Sequence, residues 1–419
     1  MSEIQLEVSR LQVGIYVKLP SKWGEHPFMF SNFKIRDEGQ IAVIRSLGLE
    51  RVTVVPGKSA CAPLPLSEVA KPGTDEDKKM SADDAQQALW KEKKQRIEDL
   101  KTYRRDLQKV EKEFDRSVSQ VRSVMKKLKD RPLNAIGDAQ QLIDAMAEDI
   151  SGGSGLILHL MGDGKDQDNF YYHSLNVSLL GMMLANAAGL TKKEVGEVGM
   201  AGLIHDVGKI KIPSQILRKT TPLSKQERNL LKMHTKYGAD ILNLGDYVPD
   251  KVRIVASQHH EYLDGSGYPL GLKKNKILKY SQIITIVNDY DSLCHPDDPS
   301  KARIPFTVIS YLFKNRKEQL NTQFLGVLIR LLGIYPPGSI VELSSGQIGI
   351  VLSVNSKRLL YPTVQVYDEN VPKDQAPIVD LETEGLSIEK ALKPSTLEQD
   401  VCEYLSPRLR ANYYYSAGK

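Results

Sequence analysis

The spacing of apolar residues divides the chain into segments of different type. Residues 4 to about 55 mix short alternating runs such as RVTVV with one helical pattern, FKIRDEGQIAVIRSLG, which Gly48 closes as a C-cap. We therefore predict a small α+β module over residues 1–55. Over residues 56–87 the apolar period is lost and Pro, Ser, Ala, Lys and Asp dominate, which is typical of a linker.

A long charged helix is predicted over residues 88–131. Its apolar residues recur at alternating spacings of three and four, and such a heptad row buries a seam against another helix. The pattern leaves two partners open, namely the helix's own domain or a second copy of the chain in a parallel homodimer through residues 95–130. The row consists of Leu100, Tyr103, Leu107, Val110, Phe114, Ser117, Val121, Val124 and Leu128.

The remaining pattern is helical over residues 132–335, with polar loops at GDGKDQDN, RKTTPLSKQE and LDGSGYPLG. Within residues 336–419 the alternating runs SIVELSSGQIGIVLSV and TVQVYD predict a β-hairpin, in which Gly346 supplies a positive φ. The chain is thus predicted to be a multidomain, mainly α protein. A helical domain follows the α+β module and precedes a short β-rich segment.

Composition and charge narrow the class of protein. The 419 residues, of which 41% are hydrophobic and 26% charged, are typical of a soluble protein with several domains. A net charge of +5 suits a small anionic ligand and does not predict a nucleic-acid polymer as partner. The least polar helical stretch, residues 174–190, is short for a bilayer span and contains two asparagines, and the N-terminus does not resemble a signal peptide. We expect no membrane insertion.

The cysteines indicate the compartment. Cys61, Cys294 and Cys402 are few and far apart, which predicts neither a disulfide framework nor a cysteine zinc site. A reducing cytoplasm is the simpler expectation.

The histidines carry the candidate chemistry. Of eight histidines, five lie between residues 173 and 260. His205 is followed by Asp206 in the apolar run MAGLIHDVGKIKIP, where a buried ionisable pair requires a compensating cation. Imidazoles with one or two carboxylates suit Fe, Mn, Zn, Co or Ni better than Mg or Ca. By itself, the stretch HHEYLDGSGYP at residues 259–269 fits either a polar surface loop or the wall of such a metal site.

Four motifs together carry a family resemblance. HSLNV (173–177), HDVGKIKIP (205–213), HTKYGADIL (234–242) and HHEYLDGSGYP (259–269) stand in the order, and at about the spacings, of the HD-GYP domain. Over roughly residues 165–335 the chain resembles this branch of the HD superfamily of metal-dependent phosphohydrolases. The segment EVSRLQVGIYVKLP followed by HPFMFSNFKI resembles the small uncharacterised domain often found upstream of HD-GYP domains.

The resemblance implies an all-α HD-type domain and a cyclic di-GMP phosphodiesterase. It further implies two divalent transition metals, with Fe or Mn favoured over Zn, Co or Ni. A metal-bridging hydroxide would attack the phosphodiester in line and give linear pGpG, with GMP as an alternative end product. In this scheme Asp206 bridges the metals, and Lys209 contacts the scissile phosphate or assists the leaving oxygen. The implied metal ligands are His173, His205, Asp206, His234, His259 and His260.

The sequence departs from the family pattern at two places. In IVNDYDSL the family's closing Asp falls on Asn288, with Asp289 beside it. Because Asn offers an amide oxygen without charge, we expect Asp289 to complete the site, with Asn288 as the alternative. Family members with three metals carry a Glu four residues before the first His, where this chain has Asn169, so we predict a two-metal site.

The GYP loop and the residues after the closing position are substrate-binding candidates. The two glycines of LDGSGYP permit a tight loop, which the resemblance implies supports the site and shapes the pocket; the alternative is a plain surface turn. The family also places Arg or Lys after the closing Asp to hold the second phosphate. The candidates are Asp264, Gly265, Gly267, Tyr268, Pro269, Lys301 and Arg303.

Two other functions remain open from the sequence. The chain could bind cyclic di-GMP and signal through partners with little or no catalysis, which the Asn at position 288 would permit. It could also hydrolyse a different nucleotide, because the HD core serves many phosphate esters. The intact HD, His-His and GYP elements favour turnover of cyclic di-GMP.

Overall fold

A computed structural model describes residues 3–65, 76–128, 130–151, 156–161, 169–219, 221–243, 248–296, 298, 301–354, 358–405 and 410–415. The chain divides into two compact units. The first comprises residues 1–104, 343–349 and 365–379, and the second comprises residues 105–342, 350–364 and 380–419.

The N-terminal part of the first unit is a four-stranded sheet with one helix, α1 (Glu38–Ser46), which confirms the predicted α+β module. The sheet order is β1-β4-β2-β3. Strands β2 and β3 pair antiparallel, as do β2 and β4, while β1 pairs with β4 in the register Ile4 to Val54. The strands are β1 (Ile4–Glu7), β2 (Tyr16–Lys18), β3 (Asn32–Lys34) and β4 (Arg51–Val54).

Helix α1 begins and ends as its sequence predicts. The Asp37 side chain accepts a hydrogen bond from the Gln40 backbone N–H at 2.8 Å, which caps the first turn. Gly48 follows the last turn with φ +71°, a backbone conformation that favours glycine. The helix buries Ile41, Val43 and Ile44 in the core of the unit.

The long helix α2 (Glu76–Lys127) starts earlier than predicted. The sequence suggested a linker through residue 87, but residues 76–87 are helical. Their Ala, Glu, Lys and Gln residues have high helix propensity even without an apolar period, which explains the correction. Of the predicted linker, residues 66–75 lie outside the described part of the chain.

A buried lysine attaches the first half of α2 to the N-terminal module. Lys93 Nζ donates to the carbonyl oxygens of Trp23 at 2.5 Å and His26 at 2.7 Å, and it lies 3.7 Å from the centroid of the Trp23 ring. Burial lowers the pKa of Lys93 to about 7. The charge is thus balanced by carbonyl dipoles and an aromatic face, which are weaker partners than a carboxylate.

The second unit is mainly helical, as the pattern of residues 132–335 predicts. A 3₁₀ helix, Val207–Lys211, lies between the α-helices Lys192–Ile204 and Ser214–Leu217. The helices are α3 (Pro132–Ser151), α4 (Asn169–Ala187), α5 (Lys192–Ile204), α6 (Ser214–Leu217), α7 (Lys225–Lys232), α8 (His234–Leu242), α9 (Asp250–Gln258), α10 (Lys279–Cys294), α11 (Pro305–Asn315) and α12 (Thr322–Leu332).

The C-terminal half of the heptad row packs in the chain's own core. Phe114, Val121, Val124 and Leu128 are buried with the apolar residues of α3, α4 and α5. For these residues the seam has the first of the two predicted partners, the helix's own domain. The side chains of Tyr103, Leu107 and Val110 lie outside the described residues, so the dimer through residues 95–130 stays a prediction for that part of the row.

The C-terminal segment is rich in strands, as predicted. Gly346 has φ +79° in the turn between β6 and β7, which confirms the hairpin. The strands form a sheet of order β10-β6-β7-β8-β9. They are β6 (Ile340–Leu343), β7 (Ile348–Ser353), β8 (Thr363–Val366), β9 (Ile378–Asp380) and β10 (Ile388–Leu392), and they are followed by α13 (Gln399–Leu405).

One strand pair was not predicted. Strand β5 (Leu156–Met161) lies inside the region predicted as helical, and it pairs antiparallel with β11 (Arg410–Tyr415) near the end of the chain. Residues 162–168 of the predicted polar loop GDGKDQDN lie outside the described part. Among the described helices, none has the length and apolar character required to cross a bilayer.

We predict that Val121→Ala lowers the free energy of unfolding by about 2 kcal/mol, because it removes two buried methyl groups and leaves a cavity. Denaturant unfolding measures the change, and light scattering should give an unchanged mass. The exposed neighbour Gln120 supplies the control, since Gln120→Ala should leave stability nearly unchanged. A lower mass for the Val121 variant would show that the seam holds two chains together.

Candidate metal centre

Five helical segments bring the candidate ligands of the four motifs to one place. His173 lies in the second turn of α4, His205 follows the last residue of α5, and Asp206 precedes the 3₁₀ helix. His234 begins α8 and His259 follows α9. Each side chain thus sits on or beside a helix end in the packed interior, where backbone positions are well fixed.

Two glycines allow the helical segments that carry the candidate ligands to approach each other closely. A Cβ on Gly202 of α5 would lie 2.8 Å from the Ser178 Cα of α4, so these helices pack backbone against backbone beside His205. A Cβ on Gly208 would overlap the backbone carbonyl oxygen of His234. Larger residues at these two positions would therefore separate the ligands.

The ligands form two groups that share Asp206. One group is His173, His205 and Asp206, and the other is Asp206, His234, His259 and His260, with the potential ligand atoms of each group within 4.8 Å of one another. Asp206 Oδ2 lies 3.7 Å from His173 Nε2 and 3.4 Å from His205 Nε2. Asp206 Oδ1 lies 3.2 Å from His234 Nε2 and 3.6 Å from His259 Nε2. The carboxylate therefore has one oxygen in each group.

Backbone hydrogen bonds fix the tautomer of three imidazoles. The Nδ1 atoms of His205 and His234 each donate to a carbonyl at 2.7 Å, Gly202 and Leu231 respectively, and His259 Nδ1 donates to the Ala256 carbonyl at 3.1 Å. With the proton on Nδ1, Nε2 keeps its lone pair and can bind a metal.

Burial favours the neutral form of three imidazoles, and neighbouring groups keep the Asp206 carboxylate charged. It lowers the pKa of His205, lowers that of His259 to about 3, and lowers that of His260 well below its usual value. Burial acts to raise the pKa of Asp206, but the Lys209 charge and the neighbouring imidazoles outweigh it and hold that pKa well below the usual range. At neutral pH all four groups are in the protonation state that binds metals.

The arrangement of donor atoms at this centre is suited to a bound cation, which the described residues do not themselves supply between the imidazoles. The Nε2 atoms of His234 and His259 face each other at 3.1 Å with both ring protons committed to carbonyls. His205 Nε2 is buried and has no hydrogen-bond partner among the described residues. Facing lone pairs beside a carboxylate oxygen repel unless a positive ion lies between them. Imidazole and carboxylate donors indicate a transition metal in each group.

Asn288, and not Asp289, lies at this centre. Asn288 Oδ1 is 3.1 Å from His173 Nε2. The Asp289 carboxylate instead accepts hydrogen bonds from the Tyr262 hydroxyl at 3.2 Å and from Arg316 Nη2 at 2.9 Å. This geometry favours the stated alternative, Asn288, over Asp289, because successive residues of a helix point about 100° apart and only one of the two can face His173.

A buried carboxylate that the sequence reading missed supports His173. Asp291 is fully buried and accepts hydrogen bonds from His173 Nδ1 at 2.7 Å, Asn176 Nδ2 at 2.9 Å and His295 Nδ1 at 2.9 Å. The bond to Nδ1 directs Nε2 of His173 toward Asp206. The signal was available in the sequence, because Asp291 is three residues after Asn288 and so lies on the same helix face.

The GYP loop folds back on the second group. A Cβ on Gly267 would lie 2.5 Å from the His260 carbonyl oxygen, so this glycine is required by close approach. The Tyr268 N–H donates to the same oxygen at 3.1 Å, and its ring stacks on the His260 ring with centroids 4.6 Å apart. Tyr268 thereby forms a wall of the centre and does not belong to a plain surface turn.

The other residues of the GYP loop order the turn that positions Tyr268. Gly265 has φ +85°, and the peptide bond between Tyr268 and Pro269 is cis. Asp264 is exposed and accepts from the Ser266 N–H and hydroxyl, so it orders the turn. Glu261, which the sequence reading missed, is buried and accepts the N–H groups of residues 270 and 272 at 2.6 and 2.8 Å.

The basic candidates differ in position. Lys209 Nζ lies 2.6 Å from Asp206 Oδ2 and its side chain is 29% exposed, so it reaches both the centre and solvent. Lys301 pairs with Asp298 at 2.9 Å on the surface, and the Arg303 guanidinium lies over the Tyr311 ring at 4.9 Å. No described contact brings Lys301 or Arg303 to the histidines.

Comparison with known families agrees with this geometry. Residues 134–320 match the family model of the HD domain, and residues 3–139 match that of a domain of unknown function, DUF3391. These two matches agree with the resemblance seen in the motifs, an HD domain preceded by a small uncharacterised domain. The DUF3391 match includes α2, so one family model covers the predicted module, linker and long helix.

Several curated proteins are similar to the chain. A cyclic di-GMP phosphodiesterase of Pseudomonas aeruginosa is 31% identical over 59% of this chain and 60% of its own length. The response regulator RpfG of Xanthomonas campestris, also a cyclic di-GMP phosphodiesterase, is 31% identical over 35% of this chain and 39% of its own. The 3′3′-cGAMP-specific phosphodiesterase 2 of Vibrio cholerae is 36% identical over 29% of this chain and 23% of its own. The chain thus spans three fifths or less of these relatives.

We predict that Asp206→Asn prevents stable loading of both ligand groups, whereas His173→Gln affects only one. Bound metal should fall from about two equivalents per chain to below one in the Asp206 variant, and to about one in the His173 variant. Equilibrium dialysis with elemental analysis measures both. Asp240→Asn, on the exposed face of α8, is the matched control and should keep full loading. Full loading of Asp206→Asn would exclude the shared carboxylate.

We further predict opposite results for the two neighbouring residues of α10. Asn288→Asp should tighten metal binding by about tenfold, because it adds a charge beside His173. Asp289→Asn should leave metal affinity unchanged and lower the free energy of unfolding by about 1–3 kcal/mol, because it weakens the partner of Arg316. A chelator competition and a denaturant titration separate these effects. Loss of metal in the Asp289 variant alone would restore Asp289 as the ligand.

Proposed function

We propose that this protein is a metal-dependent phosphodiesterase that hydrolyses cyclic di-GMP in the cytoplasm. The observation that carries the proposal is the shared carboxylate of Asp206, with one oxygen in each of two imidazole-rich ligand groups. Similarity to curated cyclic dinucleotide phosphodiesterases supports the substrate class. Linear pGpG is the first product, and GMP follows if the same centre accepts pGpG.

Two divalent ions fit the donor set, and Fe or Mn is favoured over Zn, Co or Ni. His173, His205, Asn288 and Asp206 would hold one ion, and Asp206, His234, His259 and His260 the other. When bound, such ions would supply Lewis acidity to the phosphate and lower the pKa of a bound water. The residue at position 169 is Asn, so the proposal requires two ions.

The chain's own residues would then position the substrate. Lys209 is the cation best placed to bind a non-bridging oxygen of the scissile phosphate or to stabilise the leaving ribose oxygen, because its Nζ already lies beside Asp206 and is partly open to solvent. Tyr268, stacked on His260, closes one side of the centre. Burial raises the pKa of the Tyr268 hydroxyl, so it stays protonated and can donate a hydrogen bond.

A second substrate has a specific observation in its favour. The similar proteins include a phosphodiesterase specific for 3′3′-cGAMP, at 36% identity. Cyclic di-GMP and 3′3′-cGAMP present the same kind of phosphodiester to the centre and differ in one base. We favour cyclic di-GMP because the similarity that covers most of this chain is to a cyclic di-GMP phosphodiesterase.

The test is hydrolysis by protein purified anaerobically and loaded with Fe or Mn. We predict conversion of cyclic di-GMP to pGpG, at a higher kcat/KM than for 3′3′-cGAMP. Chromatography of the products measures both reactions. Lys209→Met should lower kcat by about a hundredfold while metal content stays unchanged, because it removes one charge that stabilises the transition state. Asp206→Ala should lose both metal and turnover. Saturable binding of cyclic di-GMP without any product would contradict the enzyme and support a sensor.

A further inference from the structure

A cyclic dinucleotide poses a requirement that the metal centre alone does not meet. Such a ligand carries two phosphodiester groups, each with a negative charge, and only one of them can occupy the reacting position between the two ligand groups. The other phosphate lies on the opposite side of the macrocycle. It requires a cation outside the metal cluster, near enough to touch the same bound molecule.

Most basic side chains around the centre already have another partner. Lys209 pairs with Asp206 inside the centre, Arg316 pairs with Asp289, and Lys301 pairs with Asp298. Arg303 stacks on Tyr311. Lys209, Arg316 and Lys301 are thus held by carboxylates, and no described contact brings Arg303 to the histidines.

Lys232, in the last turn of α7, differs from these residues. Its Nζ lies 4.8 Å from the centroid of the Tyr268 ring, and that ring stacks on His260 with centroids 4.6 Å apart. Lys232 is exposed, and within the described part of the chain no carboxylate lies within ion-pair distance of it. Among the described residues it is therefore a cation without a carboxylate partner, one aromatic ring away from His260 of the second group.

We propose that Lys232 and Tyr268 form the subsite for the non-scissile phosphate of a cyclic dinucleotide. This inference rests on the proposed function, and it assigns to Lys232 the role that the sequence reading gave to Lys301 and Arg303. The Tyr268 face holds the Lys232 stem and ammonium group at the edge of the centre while its donors remain free for the phosphate. The subsite recognises the charge of the phosphate and not the identity of the base, so it would bind cyclic di-GMP and 3′3′-cGAMP alike.

The position has a plain alternative. A lysine in the last turn of a helix also interacts favourably with the terminal carbonyl groups, and this role concerns the stability of α7 alone. The two roles predict different measurements. A helix-end role alters the melting temperature and leaves substrate affinity unchanged, whereas a phosphate subsite alters affinity for a ligand with two phosphates and spares a ligand with one.

The experiment compares Lys232→Met with wild type on two substrates, using the metal-loaded full chain. Cyclic di-GMP has two phosphodiesters, and bis(p-nitrophenyl) phosphate has one. We expect KM for cyclic di-GMP to rise about tenfold, as for loss of one charged hydrogen bond, with kcat nearly unchanged. Both constants for bis(p-nitrophenyl) phosphate should stay as in wild type. Lys232→Arg should restore most of the affinity.

Lys225→Met is the matched control, since Lys225 is an exposed lysine at the other end of α7 and should change neither substrate's constants. An unchanged KM for cyclic di-GMP in Lys232→Met would overturn the inference, as would an equal rise for both substrates. Calorimetric binding of cyclic di-GMP to wild type and variant separates this result from failure of the proposed function. If wild type binds without turnover, the enzyme proposal fails, and a tenfold weaker Kd in the variant still supports the subsite. If wild type binds no cyclic di-GMP, both proposals fall.

Discussion

The carboxylate of Asp206 is the interaction on which the rest of the centre depends. One oxygen faces His173 and His205, and the other faces His234 and His259. A buried carboxylate is unfavourable unless positive charge surrounds it. Lys209 supplies part of that charge at 2.6 Å, and the facing imidazole lone pairs require more from bound cations. A single side chain thus connects the helical core with the chemistry.

The helical domain places this carboxylate through close backbone contacts. Gly202 lies three residues before His205 and lets α5 approach α4, while Gly208 lies two residues after Asp206 and lets the 3₁₀ helix approach α8. Gly267 allows the GYP loop to lie against the His260 backbone. Each glycine sits next to a functional residue, so the spacing of ligands is set by backbone contact, which is stiffer than contact between flexible side chains.

The sequence is sufficient to predict the helical class and the clustering of six implied ligands, because the order and spacing of four motifs constrain residues that are far apart in the chain. It was insufficient where the answer depends on side-chain direction. At Asn288 and Asp289 the motif register indicates the residue that faces His173, whereas the argument from charge indicates its neighbour. Position along the chain indicates Lys301 and Arg303, whereas Lys232 lies near the centre because the GYP loop places Tyr268 beside α7. The heptad row likewise predicted a seam without its partner, which for Val121 and its neighbours is the chain's own core.

The replacement of a charged ligand by Asn288 changes the electrostatics of the whole centre. The candidate ligand set combines five imidazoles and one amide with the single carboxylate of Asp206. Two divalent cations in this set would keep most of their positive charge, since Asp291 acts only through His173. Strong residual charge weakens retention of the metal held beside Asn288 and strengthens attraction of an anionic phosphate. Under the proposed function, such a centre would favour phosphodiester binding at the expense of one metal site, and Lys209 and Lys232 would extend the same positive field toward the two phosphates of one ligand.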